Sequence, residues 1–203
     1  MSGKWTGRGP ISANELMAEL EADPEYIAET ARQDEELARK ESEWRKAEAP
    51  LVEELRAAGF EVDSAWDLVN TSTPYPAALP ILLEHLQRPY PDRVREGIAR
   101  ALAVRDARFG AEKLVRLYRE EQPGTDAKAG LAVAIGEATD DDVIDEVIAL
   151  ASDPVHGTSR VLMLDALARS NAPQARAALE AIAEDAAVGG EARQLLKRGQ
   201  PKR

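Results

Sequence analysis

The chain has 203 residues, with 37 acidic against 26 basic side chains and a formal net charge of −11. It contains no cysteine, which excludes a disulfide framework, a cysteine-ligated cluster and a thiol nucleophile. The acidity disfavours nucleic-acid phosphate and anionic membranes as general partners, and no apolar run is long enough to cross a bilayer.

Residues 1–11, with three glycines, Pro10, Lys4, Arg8 and a single Trp5, read as a disordered tail without the apolar centre of a signal peptide. Cytoplasmic residence is the expectation. Ser12-Ala13-Asn14-Glu15 has the capping-box pattern that starts a helix. Asp23-Pro24 starts another, with Asp23 as cap and Pro24 at the first helical position. From Pro24 to about Ala58 the spacing predicts one long charged helix. Asp23 to Gly59 holds eleven acids and six bases, hence −5. Ile27, Leu37, Trp44, Leu51 and Leu55 are too irregular for a sustained heptad. Residues 12–58 therefore read as a solvated helical arm held by charge pairs one turn apart. Tyr26, Ile27 and Trp44 are its alternative docking points. Pro50 is expected to kink or interrupt the helix and Gly59 to close it.

Asp63 to Val69 predicts a short helix with Trp66, Leu68 and Val69 as apolar anchors. After it, two-helix units follow one another. The first pairs Pro76–Gln87 with Asp92–Ala103, the second Phe109–Glu121 with Asp126–Ala138. The third runs from Asp141 to Ser170, broken at Asp153-Pro154 and restarted with Thr158 or Ser159 as N-cap. Its stripes are Val143, Ile144, Val147, Ile148 and Ala151, then Val161, Leu162, Leu164, Ala166 and Leu167. The fourth pairs Ala172–Asp185 with Glu191–Arg198, and residues 199–203 read as a frayed tail.

Sliding the chain on itself exposes the repeat. Arg95, Ile98, Ala101 and Leu102 recur 33 residues later as Lys128, Leu131, Ala134 and Ile135. These recur 32 residues later as Arg160, Met163, Ala166 and Leu167, and Arg193 and Leu196 continue the pattern after 33 more. No single hairpin can bury its stripe alone, so each must pack on the next. Over residues 76–197 this pattern resembles the HEAT repeat in its short bacterial form, known from phycobilisome lyases. The period is below the roughly 40–47 residues of longer HEAT units. The resemblance implies an all-α fold: a right-handed α-solenoid of about four HEAT-like hairpins over residues 59–198, following the arm. It also implies that Arg95, Lys128, Arg160 and Arg193 pair with acids or carbonyls in the turns between helices, with Asp153 a partner for Arg160.

No catalytic residue, metal ligand set or cofactor-binding motif is expected. The two histidines, His85 and His156, lie in different repeats and form no cluster with acids in sequence. Neither is followed by glutamate, unlike the His-Glu pairs of HEAT-type hydroxylases. Asp140, Asp141 and Asp142 lack the spaced ligands of a calcium loop and read as a helix cap. The second helices of repeats two and three are near neutral, unlike the basic face of HEAT-like DNA glycosylases. The candidate partner-binding residues are Tyr90, Arg93, Glu96 and Arg100. Spacings of three and four put the three charges on one helix side, opposite Ile98 and Leu102. The resemblance makes that side concave. The expected function is a non-catalytic protein-binding scaffold. Its alternatives are an acidic immunity or antitoxin-type protein masking a basic toxin, and a chromophore lyase or isomerase.

Overall fold

A computed structural model describes residues 12, 13, 17, 22–139 and 141–198. The tail with Trp5 lies outside the described residues, as do Glu15 and Asp140, read above as a capping-box acid and a cap. Among those described there are ten α-helices and no strand, so the fold is all-α. In chain order the helices are α1 (Pro24–Ala57), α2 (Ala65–Val69), α3 (Leu79–His85), α4 (Asp92–Ala101) and α5 (Ala111–Glu120). They continue as α6 (Asp126–Ala138), α7 (Ile144–Ser152), α8 (Leu164–Arg169), α9 (Pro173–Ile182) and α10 (Gly189–Arg198). No helix among the described residues is long and apolar enough to cross a membrane.

The chain falls into two compact units that adjoin in sequence between Glu43 and Trp44. In the first, α1 is exposed along its described length, as its irregular apolar spacing predicts. Asp23 caps it by accepting the Glu25 N–H at 2.9 Å, and Arg32–Glu29 and Lys40–Glu36 pair one turn apart at 2.7 and 2.6 Å. The second unit begins at Trp44, well before the break expected at residue 58. The reason is burial: Glu48, Leu51, Val52 and Leu55 all lie in its interior. Pro50 does not interrupt α1, contrary to expectation. Pro50 and Lys46 are both exposed, so the Lys46 carbonyl that loses its N–H partner faces water. Gly59 ends the helix as expected, at φ +92°, with its N–H on Arg56 O and the Phe60 N–H on Leu55 O. A chain starting at Trp44 is therefore expected to keep a cooperative helical unfolding transition. Loss of that transition on removing residues 1–43 would show otherwise.

Within the second unit the helices pair as α3/α4, α5/α6, α7/α8 and α9/α10. The second members pack in succession: α4 on α6, α6 on Pro154–Met163 and α8, α8 on α10. The repeated apolar positions account for this. Ile98, Leu102, Leu131, Ile135, Met163 and Leu167 are at most 1% exposed. Gly130 lets α6 come close to α4, since a Cβ there would lie 2.9 Å from Glu96 O. Ile148 is half-buried and still packs against the core, but Leu162 leaves it, 37% exposed. The cause lies at the third hairpin's turn. Pro154–Met163 is a 3₁₀ segment broken at Gly157, φ +70°, and the α-helix starts only at Leu164. Neither Thr158 nor Ser159 is an α-helix N-cap; Asp153 caps the 3₁₀ turn through the Val155 N–H at 2.9 Å.

The repeated basic residue is a turn clamp. Lys128, 1% exposed, donates to Tyr118 O and Glu121 O, both at 2.7 Å, and lies 4.3 Å from the Tyr118 ring centre. Arg160, 2% exposed, donates to Gly157 O at 2.8 Å and Ala151 O at 3.1 Å. Its acid partner is Asp185 at 3.0 Å, not Asp153, whose carboxylate is taken by the turn it caps. Arg95 pairs with Glu121, and Arg193 donates to Ala183 O. In the three hairpins where the acceptor is a carbonyl, the cation satisfies the C-terminal end of the preceding helix, which has no internal donor left.

His156 sits against this row, 8% exposed, its ring 4.9 Å from that of Tyr118. Burial, followed by the Lys128 charge, holds its pKa below the ordinary 6.5. On acidification the unfolded chain takes this proton first. His156 thus contributes stability that is full above about pH 6.5 and is lost as pH falls through its lower folded value. His156→Gln is expected to lose less stability between pH 7.5 and pH 5 than the parent in urea unfolding. Equal losses would refute this.

Candidate functional site

The site grows from the start of the second unit. Ser64 caps α2 by accepting the Trp66 N–H at 3.2 Å, and Asp67 Oδ2 accepts the Ser64 N–H at 3.1 Å, a complete capping box. Beneath it, buried Glu48 accepts the Ala65 N–H at 2.6 Å and the Ser64 hydroxyl at 3.0 Å. Burial pushes the Glu48 carboxyl above the usual range. These bonds orient the five-residue α2 and point Trp66 at α4. Gly97 makes room for it: a Cβ there would lie 2.6 Å from the indole nitrogen.

Over that indole lies the Arg93 guanidinium, 4.0 Å from the ring centre. Arg93 Nη1 donates to Glu96 Oε2 at 2.6 Å, and Arg100 Nε donates to Glu96 Oε1 at 2.8 Å. The three charges expected to share a side are thus joined. One expectation is corrected: Glu96 does not face solvent. It is 6% exposed, covered by the two arginines, whose side chains remain 44% and 32% exposed. Three and four residues on one helix bring both guanidinium groups onto one carboxylate, and the paired acid is withdrawn beneath them. Two positive charges on one negative leave a formal surplus of +1.

Tyr90 belongs elsewhere. Its hydroxyl is 2.7 Å from Nδ1 of fully buried His85, whose Nε2 is 2.8 Å from Glu54. That chain ties the first hairpin's turn to α1. Among the described residues no hydrogen bond, ion pair or ring contact joins Tyr90 to Arg93, Glu96 or Arg100. Trp66 was legible as an anchor of its helix but not as Arg93's platform; the signal was Gly97, a small residue in mid-helix four after Arg93. Glu48 was missed altogether, although it falls on the stripe of Leu51, Val52 and Leu55.

Beside Arg100 opens a cavity of about 450 Å³. Leu68, Val69, Leu79, Val104 and Val133 give it apolar walls, with Thr71–Tyr75 along one side. Among the described residues no group of three or more histidines and acids is placed to hold a metal ion. What the geometry holds here is an organised cationic pair, one member of which borders an apolar recess. No protein-family model, curated protein or solved structure matches the chain.

Proposed function

We propose that the second unit is a short right-handed α-solenoid of four HEAT-like hairpins, and that it binds a protein partner without catalysis. The contact face is that of the second helices, centred on Arg93, Glu96 and Arg100 with Trp66. The repeat at 32–33 residues, the buried turn clamps and the succession α4, α6, α8, α10 support the architecture. One observation carries the function: two half-exposed arginines are held in place by a single buried carboxylate and an indole. Side chains organised before contact lose less rotamer freedom on binding, roughly 0.5–1.5 kcal/mol less per side chain. Arginine and tryptophan are the residue types most often found at the energetic centre of interfaces.

The test starts from a partner captured by the full chain. Arg93→Ala and Arg100→Ala, made singly, each leave Glu96 one cation. Each is expected to weaken that complex by roughly tenfold or more, as for an interface hot spot. The melting temperature is expected to fall by no more than about 4 °C, the equivalent of roughly 1 kcal/mol in a domain of this size. Undiminished affinity in both variants would refute the assignment.

A further inference from the structure

We infer that the cavity beside Arg100 receives an apolar side chain of an extended partner peptide, whose neighbouring carboxylate completes the Arg93–Glu96–Arg100 cluster. This deepens the proposed function and rests on it. The cluster states the charge of the occupant. Glu96 accepts from both arginines and can neutralise one, so among the described residues one cation is unmatched. Arg100 spends its Nε on Glu96 and borders the cavity, so its outer N–H groups are left to serve a guest. An arginine bound through Nε alone can still grip a carboxylate.

The recess states the rest. Its apolar walls and volume of about 450 Å³ lie toward the small end of ligand cavities, which run from about 300 to 1,000 Å³. One or two aliphatic or aromatic side chains fill such a space. Asp106 also lines it and makes no ion pair with Arg100 among the described residues. A guest with a second negative charge would therefore meet repulsion from Asp106, which selects a single acid beside an apolar residue. Thr71, Ser72 and Thr73 also line it; the Thr71 hydroxyl accepts the Thr73 N–H at 3.1 Å, which leaves Ser72 between them as the polar group for a peptide main chain.

The experiment is selection of a random peptide display library on the full-length protein, followed by titration of the best synthetic peptide. Enriched peptides are expected to carry Asp, Glu or a free C-terminal carboxylate next to a large apolar residue. Replacing that acid by its amide, or Arg100 by Gln, is expected to weaken binding at least tenfold. Ala103→Leu, which fills the cavity wall and replaces neither arginine, is expected to do the same at an unchanged helical circular-dichroism spectrum. Peptides that need Arg93 and Arg100 but ignore Ala103→Leu would overturn the cavity while leaving the charged face standing. Peptides indifferent to both arginines would sink the proposed function as well. An empty selection, together with decanoate binding that Ala103→Leu abolishes, would replace the peptide by a small amphipathic acid and overturn the inference.

Discussion

Leu167→Ala is expected to lower unfolding stability by about 2–5 kcal/mol, the usual cost of removing a buried leucine's branched end and leaving a cavity. In a domain of this size that is a melting-temperature loss of roughly 5–15 °C. Leu167 lies on α8, 1% exposed, at the position held by Leu102 at the end of α4 and Ile135 on α6. Both are as deeply buried, and α6 and α10 pack on either side of α8. A helix of six residues between two others has little freedom to close a void. Leu162→Ala is the matched control, because Leu162 is 37% exposed and is expected to cost well under 1 kcal/mol. Thermal or urea unfolding of both variants decides the matter. Equal melting temperatures would mean that the 32–33-residue repeat does not mark the core.

Arg160→Met is expected to be nearly as damaging, at about 3 kcal/mol, although it keeps the volume and adds apolar surface. The figure comes from the carbonyls of Ala151 and Gly157, which lose a charged donor in a place water reaches poorly. Asp185 keeps the N–H groups of Ala187 and Val188 and is not stranded. Its carboxyl is held below the usual value of 3.8, first by Arg160 and then by those two N–H groups. A depressed carboxylate gives stability above its unfolded value and loses it as pH falls through the folded one. The variant's Asp185 is thus expected to titrate nearer 3.8, which carboxyl NMR would read directly. A stable Arg160→Met protein with an unmoved Asp185 would reduce the clamp to an accident of packing.

How much of this was legible depended on whether the deciding force is local. Periodic burial is local: Leu131, Ile135, Met163 and Leu167 can be assigned from spacing because each must face whatever covers its helix. So can the ends set by backbone chemistry, such as Gly59 with its positive φ. Where the outcome turns on a distant group, the sequence was silent or misleading. Arg160 chose Asp185 over Asp153 because Asp153 had already been drawn into its own turn. Leu162 sits in an apolar run, yet the break at Gly157 shifts the phase of the following turn and leaves it outside. At the site, spacing put Arg93, Glu96 and Arg100 on one side of α4. It could not say that the acid would be withdrawn beneath the bases, since that depends on Trp66 arriving from α2. Tyr90 was near in sequence and occupied in space, its hydroxyl claimed by a histidine bound to a glutamate on α1.

The turn clamps do more than finish helices, because several reach across from one hairpin to the next. Asp92 of the first accepts the N–H groups of Asp126 and Ala127 in the second, at 2.9 and 2.8 Å. Arg95 and Glu121 join the same pair, the Tyr118 hydroxyl meets Ser159 of the third at 2.8 Å, and Arg160 reaches Asp185 of the fourth. An ordinary repeat array grows or shrinks by whole units, since each unit meets its neighbour through interchangeable apolar surface. Here each seam carries a different polar match. Excising the second or third hairpin would leave Arg95 or Tyr118 facing a neighbour without the group it needs. The four hairpins therefore fit one another in this order, and units exchange least freely in the middle of the row.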